Sequence, residues 1–248
     1  METYSFSESF INDLTEADLK HFYDKKNEVT EVLKSEKYVE FVLDITDPKA
    51  PKKLATNETD YEGFKKAASK PKLYGSYCGN SMGYTCIDEG WVKLETWNYK
   101  YGSTGEVSAR FEWQKEPFYT LTDVLGIALN SNFSPIPGTE SGVYKVDTYE
   151  GATVEKHFHT THTSGSGGYG FRMELLGGSY YHNSRGYIKY GYAPNNSVAT
   201  RSDAYAAYAH QETMWSVTPS FSFAPGIGIS ISNKEKFDFA YSHAWIYW

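Results

Sequence analysis

Period two is the commonest pattern along this chain. In its closing stretch Phe237, Phe239, Tyr241, His243, Trp245 and Tyr247 alternate with Asp238, Ala240, Ser242, Ala244 and Ile246. Successive side chains of a strand point to opposite faces, so the stretch predicts a long strand with one aromatic and one mostly small face. The aromatic face is expected to be the buried one. Val107, Ala109, Phe111 and Trp113 alternate with Ser108, Arg110 and Glu112 in the same way. Phe221 and Phe223, then Ile227, Ile229 and Ile231, alternate with Ser and Gly, and Pro225-Gly226 marks a bend between the runs. Tyr38–Ile45 reads as another strand. From Lys72 onward short strand patterns are separated by Gly, Asn, Ser and Pro, the spacing of a sandwich or barrel.

The N-terminal segment has a different period. Leu14, Leu19, Phe22, Val29, Val32 and Leu33 form an apolar stripe of roughly helical spacing, with Lys20, Asp24, Lys25, Glu28 and Glu31 opposite it. Thr15 precedes an acidic first turn and is a candidate cap. A shorter helix is expected over Thr59–Ala68, capped by Thr59. Thr122–Leu129 predicts one or two helical turns, and Asn130–Gly138 a loop. Ala204–His210 is ambiguous, because alanine favours helix and the flanking strands favour strand. The expected fold is mainly β: an antiparallel, jelly-roll-like β-sandwich with N-terminal helices packed against it. Residues 1–70 form a helical or mixed segment covering the sheet and 71–248 the β-sandwich, or the whole is one domain.

Composition sharpens this picture. Among 248 residues there are 22 Tyr, 14 Phe and 6 Trp, types that suit half-buried strand surfaces. The net charge is −7, and the arginines are only Arg110, Arg172, Arg185 and Arg201. Nucleic acid, which needs clustered Lys and Arg, is an unsuitable partner. No apolar run reaches the length of a membrane span. Cys78 and Cys86 flank small, turn-prone residues, so a disulfide is expected; two free buried thiols are the alternative. The opening Met1-Glu-Thr-Tyr has no basic or apolar leader pattern. The expected address is nonetheless secreted or cell-surface, where Asn57, Asn132 and Asn195 would head glycosylation sequons.

Two stretches could carry chemistry. Trp91, Lys93, Glu95, Trp97, Tyr99 and Tyr101 share one strand face. Exposed, their rings would form a ladder against sugar faces, with Lys93 and Glu95 bonding hydroxyls. Buried, the same row is core and the Lys–Glu pair lies at its edge. His157, His159 and His162, with Glu155 nearby, are candidate ligands for a divalent metal; ordinary exposed histidines are the alternative, and otherwise no cofactor is expected. Glu150, Glu155, Glu174 and Asp203 are available as acidic pairs, but the sequence does not place them in space. The Gly-rich run after Thr163 lacks a phosphate-loop ending, and no Gly-x-Ser-x-Gly elbow occurs.

Phe171-Arg-Met-Glu-Leu175 and Tyr187–Tyr192 are loosely similar to strand motifs of the jelly-roll alginate lyases. The two lie much closer together than in that family, and no Gln-x-His stands between them. No catalytic residue is carried over. Leu121–Asn132, Tyr208–Thr213 and the closing Ser/Gly/Ile strands resemble uncharacterised secreted β-rich proteins of Gram-positive bacteria. That resemblance implies an extracellular address and no particular activity. The leading expectation is a non-catalytic carbohydrate-binding protein whose partner is a polysaccharide or cell-wall glycan. A polysaccharide-cleaving lyase or glycosidase, and a structural or adhesive surface protein, are the alternatives.

Overall fold

Strand alternation becomes two antiparallel sheets lying face to face. A computed structural model describes residues 2–47, 52–69, 86–157, 167–212, 220–224 and 228–248. The chain opens with helices α1 (Glu8–Asp13) and α2 (Glu16–Lys25), then strands β1 (Val29–Asp44) and β2 (Lys52–Thr59) and helix α3 (Tyr61–Ala68). Strands β3 (Cys86–Tyr101), β4 (Thr104–Trp113), β5 (Thr122–Leu129), β6 (Phe133–Pro135), β7 (Ser141–Thr148) and β8 (Thr153–His157) follow. The remainder is β9 (Gly168–Glu174), β10 (Tyr181–Pro194), β11 (Arg201–Gln211), β12 (Phe221–Ala224), β13 (Gly228–Ile231) and β14 (Phe237–Tyr247).

The larger sheet runs β2-β1-β3-β4-β10-β7-β8, with β6 paired to β10; the smaller runs β14-β11-β5-β9. Val92, Leu94, Phe111 and Ile188 of the larger sheet meet Leu125, Ile127, Phe171 and Tyr208 of the smaller in one core. Each such side chain contributes about 1.5–3 kcal/mol by leaving water. The architecture is therefore the mainly antiparallel β-sandwich expected from the alternation. Each sheet also has an outer face, and these two faces differ.

The outer face of the larger sheet is covered by the N-terminal helices. Tyr4, Phe10, Leu14 and Phe22 pack on Trp97, Tyr99, Tyr101 and Tyr187. Phe10 stacks on Trp97 with ring centroids 4.5 Å apart. Among the described residues, the outer face of the smaller sheet is covered at one end, where Phe223 and Ile231 of the β12–β13 hairpin close over Val124, Ala128, Ala209, Phe237 and Phe239. Gly170 makes this seat, since a Cβ there would lie 2.7 Å from the Phe223 ring.

Thr15 caps α2 as expected, its hydroxyl accepting from the Asp18 N–H at 3.1 Å. The helical stripe does not continue to Leu33, however: Val29, Val32 and Leu33 belong to β1, which pairs with β3 along its length. β-Branched Val29, Thr30 and Val32 suit this extended partner better than another helical turn. Asp60 rather than Thr59 caps α3, accepting from Gly63 N–H at 2.9 Å. Thr122–Leu129 is strand β5 rather than a helical turn, because pairing with β9 and β11 on both sides overrides its local preference. Ala204–His210 resolves as strand for the same reason. The expected Asn130–Gly138 loop contains the short strand β6, and the Pro225-Gly226 bend lies outside the described residues.

Candidate functional site

The aromatic row on β3 is not a solvent platform. Trp97, Tyr99 and Glu95 are completely buried, and Trp91, Lys93 and Tyr101 nearly so. Val92 and Leu94 face the inter-sheet core, as one sequence reading required. That reading left the rings free to meet sugar because it gave the opposite face no cover. The N-terminal helices supply the cover, and the ladder is a second core.

Lys93 and Glu95 belong to an ion network beneath α1. Arg110 on β4 donates to Asp13 at 2.7 and 2.8 Å, to Glu95 at 3.1 Å and to Glu112 at 2.8 Å. Arg185 on β10 donates to the other Asp13 oxygen at 2.6 Å and to Asp147 at 2.9 Å. Lys34 and Lys93 lie 2.9 and 3.1 Å from Glu95. Burial would raise the Glu95 carboxyl, but Arg110, Lys93 and Lys34 outweigh it and hold the pKa at about 2. This is a clamp between helix and sheet, since both arginines close on the last residue of α1. A second clamp joins α2 to the same face: Tyr187 donates to Asp18 at 2.5 Å, and Lys189 lies 3.2 Å from it.

Of the candidate metal ligands, His157 ends β8, exposed, 2.7 Å from Glu155. Glu155 also pairs with Lys145 at 3.0 Å. His159 and His162 lie outside the described residues, among which no metal-holding group of side chains occurs. Cys86 opens β3, buried, and Cys78 lies outside the described residues. The acidic candidates are engaged separately. Glu150 accepts from Tyr180 at 2.9 Å, and Asp203 from Arg201, Asn130 and His243 at 2.9–3.0 Å.

The exposed aromatic row is on β14 instead. Ala240, Ser242, Ala244 and Ile246 are buried, whereas Tyr241 and Tyr247 are 47% and 64% exposed, His243 is exposed and Trp245 half-buried. The expectation that the closing strand buries its rings holds for Phe237 and Phe239, beneath the β12–β13 hairpin, and is reversed from Tyr241 to Tyr247. The cause is volume. Beside Tyr208 of β11, the inter-sheet space is filled by Phe111, Trp113, Tyr190 and Tyr192 from the larger sheet, leaving room for small residues such as Ala204, Ala206 and Ala240. The two alanine-rich small faces, on Ala204–Ala206 and Ala240–Ala244, were the signal that sequence reading passed over.

The neighbouring strand completes the surface. Tyr205 is opposite His243, Ala207 opposite Tyr241 and Asp203 opposite Trp245. The Tyr205 and His243 rings are parallel to within 4°, centroids 4.6 Å apart. His243 Nε2 is 2.9 Å from Asp203, and the Arg201 guanidinium lies over Trp245 at 5.7 Å. A cleft of about 530 Å³ opens beside this row, lined by Tyr205, Tyr241, Ser242 and His243 on one side and Ser35, Lys37 and Glu58 on the other. Lys37 and Glu58 form an ion pair across its far wall. The surface combines ring faces, hydroxyls and paired charges. It can hold a polar ligand with apolar faces.

A buried polar cluster lies at one end of the sandwich. His210 faces Asp123 through Nδ1 at 3.0 Å and Glu89 through Nε2 at 3.7 Å. Glu89 accepts the Phe118 and Tyr119 N–H groups at 2.6 and 3.2 Å, and Asp123 accepts Gln211 N–H at 3.1 Å and the Tyr208 hydroxyl. Burial alone would lower the imidazole, but Asp123 and Glu89 raise it to about 10, so His210 is an imidazolium at neutral pH. Burial and the neighbouring Asp238 raise Glu212 to about 10, leaving it protonated. The cluster joins β3, β5, β11 and the 114–120 segment, and is completely enclosed at His210.

No protein-family model and no curated protein matches this chain. Among solved structures, the collagen-binding domain of a Staphylococcus aureus adhesin is 8% identical, covering 55% of this chain and 86% of its own, at a TM-score of 0.28. The C-terminal domain of the AgI/II polypeptide BspA of Streptococcus agalactiae is 9% identical, covering 88% of this chain and 80% of its own, at 0.31. A structure of Fap1 fimbriae of Streptococcus parasanguinis, described for pH-induced modulation of adhesion, is 12% identical, covering 62% and 79%, at 0.26. Similarity at this level leaves the reading of the chain to its own residues.

Proposed function

We propose that this chain is a secreted or cell-surface, non-catalytic glycan-binding domain of adhesive character. Its contact face is the β14–β11 row of Tyr205, Tyr241, His243, Trp245 and Tyr247. One observation carries the reading: a strand puts its small residues inside and leaves a row of rings in water. Tyr and Trp pay little to stay wet at their polar edge, and they gain when an apolar sugar face covers the ring. Rings two residues apart on β14 are spaced roughly 7 Å along the strand, so an extended chain can touch several in turn. Ser35, Lys37, Glu58 and Arg201 border the row with groups that bond hydroxyls.

The test is retention of the protein in gels cast with a panel of soluble polysaccharides. Tyr241→Ala and Tyr247→Ala should abolish retention while the melting temperature stays within a few degrees. No new reducing or unsaturated ends should form. Retention by no member of the panel, or retention indifferent to both substitutions, removes the proposal.

A further inference from the structure

The edge of β14, which no other strand pairs among the described residues, offers something that the ring faces do not. The Trp248 N–H donates back to Thr200 O at 2.8 Å, whereas the Tyr247 N–H donates away from β11, to the Glu31 carboxylate at 3.2 Å. In an antiparallel pair the residues that bond to the partner alternate with residues that do not. With Thr200 and Trp248 bonded, even positions of β14 bond to β11. The N–H and C=O groups of Tyr241 and His243 therefore point the other way, towards the cleft. β14 is the outermost strand of its sheet, and its pairing with β11 has no register shift.

Edge strands are ordinarily blunted by proline, lysine, a bulge or a covering element. The β14 sequence Phe237–Tyr247 has no proline and no lysine, and the described pairing has no bulge. Near the end of β14 Glu31 of β1 takes the Tyr247 N–H, and beside Tyr241 and His243 a cleft of about 530 Å³ opens. Its far wall is Ser35 and Lys37 of β1 with Glu58 of β2.

We infer that this slot is a β-strand addition site, which takes an extended segment of a partner polypeptide as a further strand beside Tyr241 and His243. Backbone donors and acceptors recurring at every second residue are what another strand presents in return. The partner's side chains alternate between the ring row and the Lys37–Glu58 wall. This goes beyond the glycan reading: it uses the backbone edge rather than the ring faces, and either can fail without the other.

The test is selection from a display library of short linear peptides on the intact chain, without glycan. Enriched peptides should lose about tenfold in affinity for His243→Pro, which removes an edge N–H and no bond to β11. They should lose much less for His243→Ala, which keeps that N–H. In wild-type protein, amide hydrogen exchange at Tyr241 and His243 should slow when a selected peptide is added. This second measurement decides the matter if the proline variant does not fold. An unenriched library, binders indifferent to proline at 243, or unchanged exchange at both amides overturns the inference.

Discussion

Tyr205 and His243 stand opposite each other on β11 and β14, rings parallel at 4.6 Å. The pair is at the wet surface, where truncation leaves no cavity. His243→Ala should change stability by no more than about 0.5 kcal/mol. Its effect should appear in polysaccharide retention, read alongside an unchanged circular dichroism spectrum and melting curve. A large stability loss would make the pair structural.

Trp97 should behave in the opposite way. It is completely buried beneath Phe10 and Phe6. Trp97→Ala should cost about 3–5 kcal/mol in denaturant unfolding, the usual loss for a buried aromatic. An effect below about 1 kcal/mol would mean that the N-terminal helices do not pack there in solution.

The Asp13 clamp predicts a strong dependence on Arg110. Arg110→Met leaves Asp13 and Glu95 buried without their main cation, which should cost about 3–5 kcal/mol. Glu95 gives the same network a pH signature. Its carboxyl is held at about 2, below its ordinary 4.5, so its contribution is full above 4.5 and is lost as pH falls towards 2. Acid unfolding monitored by Trp fluorescence should shift to higher pH in Lys34→Met, which weakens the hold on Glu95.

The enclosed cluster predicts sensitivity at the alkaline side. His210 is raised from 6.5 to about 10 and Glu212 from 4.5 to about 10. A raised folded-state pKa gives stability that is full below the unfolded value and is lost as pH rises through the folded one. The melting temperature should therefore decline between pH 6.5 and 10 for His210, and from pH 4.5 upward for Glu212. Glu212→Gln keeps a neutral side chain at every pH and should flatten that decline. A variant that tracks wild type across the range would show that Glu212 titrates normally.

A bridge between Cys78 and Cys86 should leave no free thiol on titration of denatured, unreduced protein. Reduction should cost roughly 2.5 kcal/mol through the loop it opens.

Alternation made the sandwich legible, because register against a buried face is fixed by period two. It did not say which of a strand's two faces is inside. For β3 both are, since a helical layer covers the side that the ladder hypothesis left open. For β14 the smaller residues are inside, because the opposing sheet already fills the space. Both facts depend on volumes contributed from far along the chain. The edge polarity of Tyr241 and His243 was equally out of reach, as it follows from which residues of β11 and β14 exchange bonds.

The division of β14 into a buried and a wet face also sorts the chain's light emission. Trp91, Trp97 and Trp113 are enclosed, and Trp245 and Trp248 are half-buried, Trp245 within the ring row. Emission from the first group belongs at shorter wavelength, and Trp245 and Trp248 are the more accessible to a soluble quencher among the described indoles. A ligand covering the row would shield Trp245 and leave the enclosed indoles unchanged, so the protein carries its own optical reporter of occupancy.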